Sequence, residues 1–310
     1  MPSSSAKRVV LIAIIANVAI AIAKYVAAGF TGSSAMLAEA FHSTADTGNE
    51  LLLILGIKRS RRPPDRLHPF GHGKVLYFYS LLVAIYIFAF GAALAFYRGI
   101  TRMRAPIMPS YPGWNYAVLA LAALFELYSW RVSYRVLLAQ KDPDESTWDE
   151  IIGSKDPTIF TIFLEDSAGL AGTLIAFLGI FLSRTLHNPY FDPLASILIG
   201  VLLTVVSFFL GRESGALLVG ERTNRRRIRR IRKILEGDSS VQKVGDVLTM
   251  QLGPDEVLVT VDIRFQPGLD VRELEHIIAR LEGSIKKAEP MVQRIFLEPG
   301  ALKNISQKAA

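Results

Sequence analysis

The sequence predicts an α-helical membrane protein, with six transmembrane helices followed by a small α+β domain. Three observations carry this prediction. The chain is 51% hydrophobic with a mean hydropathy of +0.32, more apolar than an ordinary soluble domain. Its apolar residues gather into six long runs, near residues 8–28, 35–57, 75–98, 113–139, 157–183 and 191–211. Each run reaches the roughly 20 residues a helix needs to cross a bilayer. Near residue 212 the runs stop, and charged, short-period segments take over.

The six runs are justified in turn by their flanks. Lys7 and Arg8 precede the first run, and Lys58, Arg59, Arg61, Arg62, Arg66 and Lys74 fill the second connection. Arg212, Arg222 and Arg225 follow the sixth. Basic flanks stay on the cytoplasmic side, so both termini are expected there, in the inner membrane for a prokaryotic cell. The connection at residues 29–34 has no Lys or Arg, as an outer loop should. Arg98, Arg102 and Arg104 at the third connection depart from this pattern. The first run is too long for a cleavable signal, and five more follow it. There is no cysteine, which excludes a disulfide framework and thiolate metal ligands.

Residues 1–212 therefore read as the membrane domain, 213–300 as a cytoplasmic domain, and 301–310 as a disordered tail. In the second domain Arg225–Glu236 is a charged helix, with Ile228, Ile231 and Leu235 at helical spacing. Val247–Gln251 and Val257–Phe265 read as strands around a Gly253-Pro254-Asp255 turn. Leu269–Ala288 is an amphipathic helix, and Arg294–Leu297 a last strand. The order αββαβ is a small ferredoxin-like sheet with helices on one face. The basic cluster from Arg222 to Lys233 directly follows a spanning helix. Anchoring to anionic headgroups explains it better than nucleic acid, which is not expected as a partner.

Candidate metal ligands stand inside the apolar runs. His42 and Asp46 are four apart in the second run, so they share a helix face. Ionisable groups at membrane depth are costly and mark function. Together they can hold half of a tetrahedral metal site. Glu126 lies in the fourth run, and Glu165 and Asp166 are adjacent in the fifth. Adjacent helical residues point about 100° apart, so only one of Glu165 and Asp166 faces the His42–Asp46 pair. A divalent cation is the most economical partner for these acids; an interhelical salt bridge, with Lys24 as its cation, is the alternative.

These residues lie within longer motifs. Gly32-Ser-Ser-Ala-Met-Leu-Ala-Glu-Ala-Phe-His-Ser-Thr-Ala-Asp-Thr-Gly-Asn, Arg66-Leu-His-Pro-Phe-Gly-His-Gly-Lys and Phe191-Asp-Pro-Leu-Ala-Ser-Ile-Leu-Ile-Gly run through the membrane part. With them, the chain resembles the cation diffusion facilitators, a family of dimeric divalent-metal transporters, over nearly its whole length. Leu-Glu-Asp-Ser-Ala in the fifth span, Gly253-Pro-Asp-Glu-Val-Leu-Val and Phe296-Leu-Glu-Pro resemble the branch that contains zinc transporter nine.

The resemblance implies a ligand pair on the second span, matched by His42 and Asp46, and another pair four apart on the fifth. There the chain departs. Thr161 stands four before Glu165, and Ile162 four before Asp166. Glu165 is the first choice of ligand, because Gly169-Leu-Ala follows it where the family has Ser-Leu-Ala. Thr161 is a weak fourth ligand and Asp166 the second choice. Asp65, His68 and His72 match a further metal site of some members; a purely structural loop is the alternative. His187 reads as a loop residue and His276 as part of a solvated face.

Tetrahedral nitrogen and oxygen ligation suits Zn2+ and an oxygen-rich site Mn2+; one imidazole among carboxylates lies between them, and Zn2+ is the first expectation, with Mn2+ and Fe2+ as alternatives. No other cofactor is expected. The resemblance implies secondary active transport rather than an enzyme. A homodimer would carry the metal out in exchange for protons by alternating access. Histidine suits this coupling, since it is the side chain that titrates near neutral pH. The alternative is a membrane metal sensor or scaffold that kept the fold and lost transport.

Overall fold

A computed structural model describes residues 4–140 and 157–300. The expected tail at 301–310 lies outside the described residues. These divide into two compact units, one within Met1–Lys58 and Phe78–Ser214 and the other within Arg59–Tyr77 and Gly215–Ala310.

Among the described residues, six long helices follow the six apolar runs: α1 (Ser4–Thr31), α2 (Ser34–Ser60), α3 (Val75–Arg104), α4 (Pro112–Gln140), α5 (Pro157–Thr185) and α6 (Phe191–Val219). α3 contains a π-helical turn at Ile87–Ala92. By length and composition α3, α6 and Phe160–Thr185 of α5 are apolar enough to cross a membrane. α2 and α4 are diluted by the ionisable residues the sequence singles out, among them Asp46 and Glu126.

Small side chains let the first unit pack closely. Ala35, Ala38, Ala92, Ala95, Ala176 and Ala195 are buried beside Met36, Ile180 and Leu203. At Gly179 of α5 a β-carbon would lie 2.4 Å from the Ala195 side chain and 3.1 Å from the Phe191 carbonyl oxygen. Gly179→Val is expected to force α5 and α6 apart at a cost of about 1–3 kcal/mol. The check is a lowered melting temperature of the purified protein in detergent.

The turn between α1 and α2 is built from polar groups. Gly32 takes the left-handed conformation, φ +70°, as the residue closing a helix often does. Arg102 of α3 donates to its carbonyl oxygen at 2.7 Å. This gives Arg102 a structural reason to stand at a connection where the charge pattern alone expects no arginine. Asp192, in the first turn of α6, is fully buried. Its carboxylate accepts from the Ser34 amide at 2.6 Å, the Ala35 amide at 3.4 Å and the hydroxyls of Ser33 and Ser34. It satisfies donors that the start of α2 would otherwise leave orphaned. The Phe191-Asp-Pro motif thus has a packing role.

The second unit contains α7 (Arg225–Glu236), β1 (Val241–Gly253), β2 (Glu256–Phe265), α8 (Val271–Ala288) and β3 (Val292–Pro299). The order αββαβ is as the sequence predicts. The sheet runs β1-β2-β3, with β1 antiparallel and β3 parallel to β2. The parallel pair requires a crossover, which α8 supplies. Val257, Val259, Val261 and Ile263 alternate along β2 into one core with Ile231 and Leu235 of α7 and Ile277, Leu281 and Ile285 of α8. Asn224 caps α7, and Asp270 with Glu273 forms a capping box on α8. β1 begins earlier than its hydrophobic pattern predicts, because pairing with β2 continues across irregular register to Val241. Part of the basic cluster is used internally: Arg227 and Arg230 hold Glu289 at 2.9 and 2.8 Å.

The connection between α2 and α3 packs within this unit. A β-carbon at Gly73 would lie 2.4 Å from the Leu252 carbonyl oxygen, so glycine lets the two backbones touch. Arg294 lies over the Phe70 ring at 5.1 Å and donates to the Pro69 carbonyl oxygen at 3.3 Å.

Candidate metal centre

α2 presents one polar stripe. Glu39, His42, Asp46 and Asn49 recur at intervals of three and four residues, so they line one face. His42 is 2% exposed, and its Nδ1 lies 3.3 Å from Asp46 Oδ1. His42 Nδ1 and Nε2 and Asp46 Oδ1 are buried without hydrogen-bond partners among the described residues. Unpaired polar atoms in a helix bundle are costly, and neutral imidazole nitrogen beside carboxylate oxygen is a donor set for a divalent metal.

α5 supplies the facing side. Glu165 accepts from Asn49 Nδ2 of α2 at 2.8 Å. Asp166 turns to α4, accepting from Ser129 at 2.9 Å and Ser133 at 2.7 Å. The two acids therefore face different helices, as adjacent helical positions must. Thr161 is fully buried, and its hydroxyl has no partner among the described residues. Asp46, Glu50, Glu126, Glu165, Asp166 and Gly169 border a single cavity of about 650 Å3. The Gly169 position explains part of this opening: a β-carbon there would lie 3.4 Å from His42 Nε2.

Lys24 does not pair with Glu165 or Asp166. Its ammonium, fully buried, lies 2.8 Å from Glu39 and 3.0 Å from Glu126. The Thr173 hydroxyl sits between these acids, 2.7 Å from Glu126 Oε2 and 3.1 Å from Glu39 Oε2. Glu39, Asn49 and the pair formed by Asn17 with Glu50, 2.7 Å, escape the sequence reading. Glu39 and Asn49 carry a usable signal, since each stands three residues outside the His42–Asp46 pair.

A second cluster lies in the connection before α3. Ligand atoms of Asp65, His68 and His72 all fall within 4.8 Å of one another. Asp65 contacts His68 Nδ1 at 3.3 Å and His72 Nε2 at 3.4 Å. The segment is a loop, as its glycines and proline predict. The His68 backbone N–H, 2.7 Å away, holds the Asp65 carboxyl below the usual range, helped by the His68 ring and the Leu67 amide. His187 stands in a turn with φ 51°, and His276 is exposed on α8.

The chain is 34% identical over 259 residues to the mouse protein named proton-coupled zinc antiporter SLC30A9, mitochondrial, covering 83% of this chain and 46% of that protein. It is 29% identical over 238 residues to metal tolerance protein C4 of Arabidopsis thaliana, covering 76% of this chain and 52% of that one. It is 24% identical over 298 residues to the manganese efflux system protein MneP of Bacillus subtilis, covering 94% of each. The chain thus spans about half the length of the SLC30A9 relatives it matches. Residues 10–219 match the cation efflux transmembrane domain, and with its apolar helices and buried ionisable stripe the chain is an integral membrane protein of the cation efflux family.

Proposed function

We propose that this protein is a secondary active transporter that exports a divalent cation, Zn2+ before Mn2+ or Fe2+, in exchange for protons. The observation that carries the reading is the pair of unpartnered His42 nitrogens and Asp46 oxygen on α2, beside a cavity bordered by Glu165 and Asp166 of α5. The relatives named as a proton-coupled zinc antiporter support zinc and proton coupling, and the one named as a manganese efflux protein keeps Mn2+ as the alternative.

The chemistry follows from the donors. His42 binds the ion as neutral imidazole and Asp46 and Glu165 bind it as carboxylates, with Thr161 a weak fourth donor and Asp166 the second choice. Protons compete for these same atoms, so one site can exchange metal against protons. α1 to α6 are the six spans, residues 1–212 the transport domain and 213–300 a ferredoxin-like cytoplasmic domain that holds two copies together. Both termini face the cytoplasm, in the inner membrane for a prokaryotic cell. Rocking of the spans around the site gives alternating access. Asp65, His68 and His72 form a second metal site in the connection before α3.

The test is zinc flux driven by a proton gradient in liposomes holding the purified protein. Glu165→Gln is expected to weaken zinc binding more than Asp166→Asn, because Glu165 faces α2. The reverse order moves the ligand by one residue. A wild-type protein that carries none of zinc, manganese, iron, cobalt or nickel but still binds metal is the sensor or scaffold instead.

A further inference from the structure

We propose that Glu126 of α4 is a further ligand of the transported ion and supplies the donor that Thr161 and Ile162 do not. The inference rests on the reading of His42 as a metal ligand.

His42 and Glu126 meet at Gly169. A β-carbon at that position would lie 3.4 Å from His42 Nε2 and 3.4 Å from the Glu126 carboxyl carbon. The imidazole nitrogen and the carboxylate thus border the same small gap, from α2 and α4. His42 Nδ1 lies 3.3 Å from Asp46, and Nε2 lies toward Gly169 and Glu126, so an ion held by Nε2 draws the Asp46 carboxylate from the Nδ1 side to the same side. Nε2 is buried and unpartnered, in a residue 2% exposed. Glu126 also borders the cavity shared with Asp46 and Glu165, so an ion reaching those acids meets it.

The charge arrangement allows the exchange. Lys24 holds both Glu39, at 2.8 Å, and Glu126, at 3.0 Å. One ammonium therefore has two carboxylates. When Glu126 turns to the ion, Glu39 still neutralises Lys24, and no charge is left alone in the bundle. Zinc bonds to nitrogen and oxygen are about 2 Å long, so an ion held by both groups draws the Glu126 carboxylate toward His42 Nε2. A carboxylate from α4 restores the donor count that a tetrahedral site needs. It also shifts the set toward oxygen, which widens the choice of metal toward manganese.

The experiment titrates the purified full chain in detergent with Zn2+ and with Co2+, whose visible spectrum reports its ligands. Size exclusion and melting check each variant for folding. Glu126→Gln is expected to weaken zinc binding by about tenfold or more and to change the cobalt spectrum. Lys24→Met is expected to keep or tighten binding, since it frees Glu126. The double variant Lys24→Met with Glu126→Gln is expected to stay weak. Should Glu126→Gln not fold, Glu126→Asp keeps the charge beside Lys24 but shortens its reach, and a changed cobalt spectrum is still expected. Wild-type affinity and spectrum in Glu126→Gln or Glu126→Asp overturn the proposal. So does recovery of wild-type binding in the double variant, which would make Glu126 only a partner of Lys24. His42→Ala separates the two levels: its unchanged binding overturns the metal centre as a whole, and its lost binding beside a normal Glu126→Gln overturns this inference alone.

Discussion

His42→Ala is expected to abolish proton-driven zinc flux in liposomes while leaving the protein folded. His42 supplies the single imidazole in a set of carboxylates, with both ring nitrogens buried and neither in a hydrogen bond. Removing it deletes a donor and opens space beside Gly169. The loss in zinc affinity is expected to exceed the roughly 10- to 100-fold that loss of an outer partner costs. Asp46→Asn is expected to act in the same direction, since it removes the charge that faces Nδ1 at 3.3 Å. In the wild type, apparent affinity is expected to rise with pH, because metal and protons compete for the same atoms. Stopped flux with folding checked by size exclusion supports the assignment. Unchanged flux in both variants means that the ion binds elsewhere.

Asp192→Ala is expected to produce the largest loss of stability. The carboxylate is fully buried and accepts from two backbone amides of α2 and from the hydroxyls of Ser33 and Ser34. Alanine leaves these buried donors without their acceptor. Each buried donor left without its acceptor costs about 1–3 kcal/mol, so the summed loss is expected to be large. Asp192→Asn keeps the shape and one acceptor oxygen, so a smaller loss is expected. Melting temperatures in detergent decide this: the order wild type, Asn, Ala supports the cap, and a wild-type melting point for the alanine variant rejects it. No metal donor is touched, so zinc affinity of the folded fraction is expected to stay near wild type.

The helices were legible where local pattern decides. The six apolar runs mark α1 to α6. Arg225–Glu236 is legible end to end because its apolar residues follow helical spacing and Asn224 caps it. β1 was legible only in its second half, because its first residues are held by cross-strand pairing rather than by alternation. In the site, His42 and Asp46 are visible from a spacing of four. The division of labour between Glu165 and Asp166 is not, since their partners lie 116, 37 and 33 residues away. The same holds for Lys24. A buried ammonium needs counter-charges, but only the packing of α1 against α4 selects Glu126, 102 residues distant.

Asp192 also has a mechanical consequence. It stands in the first turn of α6 and at the first turn of α2, so one anion sits between two positive helix ends. α2, which carries His42 and Asp46, is thereby moored at its Ser34 end, away from the basic connection. A rocking motion of α2 cannot slide that end freely past α6. If the spans rock as proposed, the Ser33–Asp192 junction is the pivot, with the largest sweep at the Ser60 end. Distance measurements between spin labels are expected to find α2 and α6 fixed to each other near the junction through the transport cycle, and moving apart only toward their far ends.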